Sequence, residues 1–239
     1  MNIYKKIELY ETHHPMLTRT SNHIPPLRWF LAWAGQKAAD CHVVSYAKCG
    51  ETWVQEILIK YFGCNLIDAH IRYGVPYIKF SHRRKVDNKK AGVILLTRQA
   101  GDVMISYYHH MTKRHCTFRG SVLDFLKSEK YGIKSYRKFH EYWEKKAGHT
   151  VSYEQLRENT YHHMKRLFSH LGIECDGTRL QKAIVKCSFE NMYKGQFKRQ
   201  DGSMRVPDKS DPNSYKVRRG KVGGYKDEMT SMEIELCQI

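Results

Sequence analysis

Cys41-His42-Val43-Val44-Ser45-Tyr46, then Ala47-Lys48-Cys49-Gly50-Glu51-Thr52, then Trp53 to Phe62: these three consecutive segments decide the fold class. The first is a short β-prone run, and the second is a tight turn holding a glycine. The third sets Trp53, Ile57 and Tyr61, with Val54, Leu58 and Phe62, along one helical stripe. The pattern recurs downstream. Val93-Ile94-Leu95-Leu96-Thr97 is a continuous apolar run of the kind a strand buried on both faces requires. Arg98-Gln99-Ala100-Gly101-Asp102 ends it, and a helix is predicted from Val103 to about Thr112. His149 to Tyr153 reads as a third strand, with the helix after it at 161–171. Strands alternating with helices predict an α/β fold, a three-layer sandwich whose central parallel sheet is flanked by helices.

Around this unit, 239 residues at 41% hydrophobic and 12% aromatic can bury a core and offset the entropy of ordering. One domain over 1–239 is expected. It begins with an irregular lead-in over 1–40, interrupted by Pro15, Pro25 and Pro26. Near its end lies a basic loop over 194–221, with nine Lys and Arg against three Asp, and a helix-like stretch over 227–239 follows. A net charge of +17 selects for anionic partners: nucleic acid, acidic lipid or phosphorylated small molecules. The seven cysteines include no CxxC pair, which argues against a disulfide framework or a paired-thiol zinc site and predicts a reducing, cytoplasmic setting. His109, His110, His115 and Cys116 do not have zinc spacing, so no metal is expected. No stretch approaches the roughly 18 apolar residues that span a bilayer, so no membrane partner is expected either.

Chemistry concentrates at the strand ends. Where a parallel strand enters a helix through a tight turn, the unpaired helix N–H groups and the positive dipole end attract an anion, and Lys48 adds a full charge. The alternative is an ordinary connection with a solvated lysine. The pattern G-x-x-x-x-G-K-[ST] is absent because Gly50 follows Lys48, which disfavours an ordinary ATP or GTP hydrolase. At the second strand end, the Arg98 fork and the Ser106 hydroxyl suit another phosphate, and an open parallel sheet would bring both turns to one crevice. An Arg98–Asp102 ion pair at a helix start is the competing reading.

Tyr46-Ala47-Lys48-Cys49-Gly50-Glu51-Thr52-Trp53 resembles the Y-P-K-S-G-T-T-W loop of the cytosolic sulfotransferases. Four further elements follow in the family's order. Arg98 to His109 resembles R-N-x-K-D-x-x-x-S-Y-Y-H-F, and Ser152 to Asn159 resembles F-Y-E-D-M-K-E-N. Ser188 to Met192 resembles S-F-x-x-M, and Val217 to Lys226 resembles M-R-K-G-x-x-G-D-W-K. The resemblance implies a P-loop-like fold that uses 3′-phosphoadenosine 5′-phosphosulfate (PAPS) as co-substrate and releases adenosine 3′,5′-bisphosphate, without a metal. It implies that Lys48, Cys49, Gly50, Glu51, Thr52 and Trp53 hold the 5′-phosphosulfate, with Trp53 also against the adenine. It assigns the 3′-phosphate to Arg98, Ser106, Arg218, Arg219 and Gly220, and the adenine border to Tyr153, Cys187, Phe189 and Met192. Cys187 stands where the family usually has threonine.

On the acceptor side, Pro76 to His82 resembles a segment containing K-T-H, with His82 on the histidine and Phe80 in place of the lysine. Imidazole, with a pKa near neutrality, suits the base that takes a proton from a small-molecule hydroxyl. His82 and Lys48 are therefore the expected catalytic pair. Glu51 replaces a threonine, and its carboxylate would repel the donor unless it points away or pairs with a neighbouring cation. Lys226 to Glu235 resembles the family's dimer segment, and a plain terminal helix is the other reading. Two features suggest rival functions. A catalytically weak or inactive nucleotide-binding relative is suggested by Glu51. A basic nucleic-acid-binding protein is suggested by the six Lys and Arg over 79–90, but no recognised nucleic-acid motif accompanies them, so nucleic acid is disfavoured as a partner.

Overall fold

The computed structural model describes residues 38–83, 91–197 and 208–238. The expected lead-in at 1–37, most of the basic run at 84–90 and the middle of the basic loop at 198–207 lie outside the described residues. Four strands form one parallel sheet: β1 (Cys41–Ser45), β2 (Ile78–Ser81), β3 (Gly92–Thr97) and β4 (His149–Ser152), in the order β2-β1-β3-β4. β1 is buried at every position, and Ile94, Leu95 and Leu96 of β3 are buried with it. These two strands are central because their apolar runs need cover on both faces. The edges are short: β2 and β4 have four residues each and carry Lys79, Ser81, His149 and Thr150. Short polar edges discourage pairing with another chain.

The first helix, α1, runs from Glu51 to Phe62 and ends at Gly63 in the left-handed conformation (φ 72°). Its buried residues Val54, Ile57, Leu58, Tyr61 and Phe62 lie on the stripe read from the sequence. Tyr61 and Phe62 meet Phe168 of α7 (Thr160–His170), with ring centroids 4.5 and 6.3 Å away. The helix after β3 starts three residues earlier than expected, as α3 (Ala100–His109), and continues as a π-helical turn at His110–Arg114. Asp102, expected in the turn, is therefore inside the first helical turn. After β4, the short helix α6 (Tyr153–Glu158) precedes α7, and Ser152 caps it reciprocally with Gln155. The S-x-x-[EQ] capping box at 152–155 explains why the strand turns directly into a helix there.

The remaining helices complete the layers: α2 (Leu66–Tyr73), α4 (Val122–Lys127), α5 (Ile133–Glu144), α8 (Gly177–Lys186), α9 (Phe189–Gly195) and α10 (Ser231–Gln238). The terminal helix is thus shorter than the expected 227–239. Its start is capped by Thr230, whose amide donates to the Glu233 carboxylate at 2.8 Å.

Candidate active site

The turn between β1 and α1 is held in an unusual shape. Lys48 and Gly50 both have positive φ, 76° and 95°. A Cβ on Gly50 would lie 2.9 Å from the Tyr153 ring, so glycine is required on both conformational and steric grounds. Gly50 is also the α1 N-cap and makes no side-chain cap bond, which leaves the opening amides of α1 without the usual side-chain acceptor. Cys49 is buried and is not among the residues that line the cavity beside the turn. Burial pushes its thiol well above the ordinary range.

That cavity measures about 1150 Å³. Lys48, Gly50, Glu51, Thr52 and Trp53 line it, as do His82, Arg98, Ser106, Tyr153, Cys187, Phe189, Met192, Arg218, Arg219 and Gly220. Every sequence-derived candidate except Cys49 is therefore brought to one place. One part of the wall is aromatic. The Trp53 indole N–H donates to the Cys187 carbonyl at 3.0 Å, and its ring meets Tyr153 edge-on at 5.7 Å. Gly220, with φ 61°, lies so close to Phe189 that a Cβ would come within 2.5 Å of the ring.

The second strand end is organised by one carboxylate. Asp102, 2% exposed, accepts the Gly223 amide at 2.8 Å and the Tyr225 amide at 3.0 Å. It also lies 3.7 Å from the Arg98 guanidinium, so the competing ion pair is present, and Arg98 lines the cavity as well. Arg98 donates to the Lys48 carbonyl at 3.3 Å and the Lys221 carbonyl at 3.4 Å, and its guanidinium lies 4.2 Å from the Tyr153 ring centroid. These contacts tie the first turn, the second turn and the C-terminal loop to one guanidinium. Its Nε is buried without a partner among the described residues.

The C-terminal cations are held from behind. Arg218 donates to Glu228 at 2.6 Å, and Arg219 bonds both Glu228, at 2.9 Å, and Asp227. His109 lies 3.0 Å from the same Glu228 carboxylate. Despite the desolvation that opposes it, these partners hold the Glu228 carboxyl down at about 2.

Lys48 sits in a crowd of like charge. Removal from water, followed by Arg114, Lys216, Arg98 and Arg218, pushes its ammonium down to about 7. Arg114 and Lys216 line the cavity and were not read from the sequence, and the same is true of His110, His115, Arg157 and Lys221. A signal for two of them exists: Asp102, Ser106, His110 and Arg114 recur every four residues along one helix. Desolvation, with Lys48 and His115 next, pushes His110 down to about 3. Among the described residues, no group of three or more His, Cys, Asp or Glu could hold a metal ion.

Glu51 stands on the cavity wall beside His82. Its carboxylate accepts the Ser45 hydroxyl at 2.8 Å and lies 3.2 Å from His82 Nδ1. The His82 Nδ1 is also 3.0 Å from the Ser45 carbonyl. The chain beyond His82 is fixed by the Trp143 indole N–H, which donates to the Arg83 carbonyl at 3.1 Å.

A parallel sheet whose strand-to-helix turn opens on a basic, aromatic-walled cavity defines an α/β class of fold that presents a helix N-terminus to an anion. The sulfotransferase domain model matches residues 76–238, and the chain belongs to that family. Among its relatives, bovine (Bos taurus) sulfotransferase 1A1 is 23% identical over 268 residues, covering 94% of this chain and 88% of the relative. Human (Homo sapiens) sulfotransferase 1C2 is 24% identical over 242 residues, covering 83% and 80%. Among solved structures, mouse sulfotransferase SULT7A1 complexed with PAP superimposes with a TM-score of 0.62 at 15% identity, over 85% of each chain. Retinol dehydratase in complex with retinol and PAP gives 0.65 at 15% identity, over 84% of this chain and 80% of that one. The fold is that of these proteins. No helix among the described residues is long and apolar enough to cross a membrane.

Proposed function

We propose that the chain, acting as one domain over 1–239, is a PAPS-dependent sulfotransferase that moves a sulfuryl group to a hydroxyl or amine of a small-molecule acceptor. One observation carries the reading. Segments remote in sequence, at 47–53, 98–106 and 216–221, wall one cavity that His82 also lines. The residues suit the donor in kind. The uncapped start of α1 and Lys48 offer an anion site, and Arg98 with its buried, unpartnered Nε offers a second. Trp53, Tyr153 and Phe189 offer aromatic faces for a base. Two solved structures of the same fold are complexes with PAP, which favours the same nucleotide here.

When bound, PAPS supplies a sulfuryl group on an anhydride oxygen, and adenosine 3′,5′-bisphosphate is what remains after transfer. His82 takes the proton from the acceptor as the acceptor oxygen attacks in line. Lys48 and the turn amides stabilise charge growing on the phosphate oxygen, so positioning and fixed charge carry most of the catalysis. Zebrafish (Danio rerio) cytosolic sulfotransferase 1, 24% identical over 239 residues, favours a cytoplasmic location for this chain. A homodimer through 226–235 belongs to the same proposal, and sedimentation of the full chain checks it.

The test uses the full chain, labelled PAPS and a panel of phenols, alcohols and amines. Transfer to at least one acceptor is expected, with His82→Ala losing about 10²-fold or more in kcat, the range for a positioned general base. Lys48→Ala should lower kcat more than it weakens donor binding. Thermal stabilisation by adenosine 3′,5′-bisphosphate with no transfer to any acceptor would instead identify a nucleotide-binding relative. A salt-sensitive complex with RNA or DNA, indifferent to the nucleotide, would overturn the reading.

A further inference from the structure

Three side chains meet where β1 and β2 deliver the chain to the cavity. The parallel register pairs Val44 with Ser81, so the next residues, Ser45 and His82, leave the sheet as neighbours. Ser45 is fully buried, and its hydroxyl donates to Glu51 at 2.8 Å. Glu51 opens α1 and aims its carboxylate back at the sheet rather than along the turn, and it is 3.2 Å from His82 Nδ1.

We propose that Glu51 is a positioning residue for His82, holding the imidazole with its proton on Nδ1 and its bare Nε2 available to the acceptor. The proposal rests on the reading of His82 as the base. Its logic is a donor–acceptor count. Nδ1 faces the Ser45 carbonyl at 3.0 Å and the Glu51 carboxylate at 3.2 Å, and both groups only accept. The Ser45 hydroxyl, 3.3 Å from Nδ1, has its hydrogen committed to Glu51. Nδ1 must therefore carry the hydrogen, and the neutral ring leaves its lone pair on Nε2. When Nε2 receives the acceptor's proton, the Nδ1 hydrogen stays in place and the Glu51 charge faces the imidazolium that forms. The orienting role parallels that of the aspartate in a Ser-His-Asp triad.

The arrangement also gives the carboxylate a task that a threonine could not perform. Glu51 has 20% side-chain exposure, against 53% for His82, so the acid is the more enclosed partner and the imidazole is the one presented outward.

Two measurements on the full chain decide the matter, and one is independent of turnover. In ¹⁵N-histidine-labelled protein held at alkaline pH, with His82 assigned from the His82→Gln spectrum, His82 should show the Nδ1–H tautomer. Glu51→Ala should convert a large part of it to Nε2–H. In transfer assays, Glu51→Gln should lower kcat about 10- to 100-fold with donor KM within about threefold, a milder loss than the ~10⁴ seen when a triad aspartate becomes asparagine. Glu51→Asp should recover part of kcat. An unchanged tautomer in Glu51→Ala would overturn the proposal. So would a Glu51→Gln enzyme that binds adenosine 3′,5′-bisphosphate more tightly and turns over faster, the outcome expected if Glu51 only repels the donor. If the wild-type chain transfers nothing while the tautomer responds to Glu51, the pair stands and the sulfotransferase reading of His82 falls.

Discussion

On the proposed function, the low pKa of Lys48 makes donor binding a proton-linked event. In the ligand-free protein its ammonium is held at about 7 by removal from water and by the cations Arg114, Lys216, Arg98 and Arg218. An ordinary lysine titrates near 10.4. Phosphate oxygens beside Nζ favour the charged form, so the pKa rises on binding. The sign follows: the attraction is fully available below about 7 and is lost as pH climbs from there toward the bound-state value. Half the free protein carries the charge at pH 7, and about one molecule in a hundred does at pH 9. Apparent affinity for adenosine 3′,5′-bisphosphate should therefore weaken about 50-fold between those pH values, or ~2.3 kcal/mol. The phosphates, with a second pKa near 6, are already about nine-tenths doubly ionised at pH 7 and essentially all so at pH 9, a small change beside that of Lys48. Titration calorimetry at constant salt, repeated in two buffers of different ionisation enthalpy, reads both the affinity and the proton count. Uptake of about 0.9 proton per site is expected at pH 8. Lys48→Arg, which does not titrate, should flatten the profile. An affinity constant within threefold from pH 7 to 9 with no buffer dependence would refute the reasoning, and so would a Lys48→Arg protein that keeps the slope.

Three other outcomes follow from geometry. Gly220→Ala forces a Cβ within 2.5 Å of the Phe189 ring at φ 61°, so nucleotide affinity should fall about tenfold, with a stability loss of ~1–2 kcal/mol in urea titrations. Asp102→Asn leaves one acceptor for the Gly223 and Tyr225 amides and removes the charge facing Arg98; unfolding should become easier by ~1–3 kcal/mol, and both amides should lose hydrogen-exchange protection. Phe168→Ala empties the space beside Tyr61 and Phe62 and should cost ~3–5 kcal/mol by denaturant unfolding, with no preferential effect on nucleotide affinity.

The two central strands and the edge strand β4 were legible, and the edge strand β2 was not. β1 and β3 declare themselves because a strand covered on both faces must be continuously apolar, and Val43-Val44 and Ile94-Leu95-Leu96 are. β2 carries Lys79 and Ser81 at the sheet edge, so nothing in its composition separates it from loop, and only the motif at 76–82 drew notice. Strand order was not legible, since it depends on packing between segments that the sequence holds far apart. In the site, residues at strand ends could be read because turn chemistry is local. The role of Asp102 could not, because it receives the Gly223 and Tyr225 amides 121 and 123 residues downstream. The direction of Glu51 was hidden for a similar reason: Ser45 and His82 become neighbours only through the β1–β2 register.

The π-helical turn at His110–Arg114 works as a phase adjuster. Along an ordinary helix a four-residue spacing overshoots a full turn by about 40°, so a stripe such as Asp102, Ser106 and His110 drifts sideways as it ascends. A turn that takes in an extra residue brings the stripe back, and Arg114 lines the same cavity as Ser106. Deleting one residue from this turn would rotate everything after it by about 100° and turn Arg114 and His115 off the wall, leaving Arg98, Asp102 and Ser106 where they are. A single-residue length change could thus redraw the lining contributed by 111–115 while sparing the residues upstream, a route to new specificity that substitution alone does not offer.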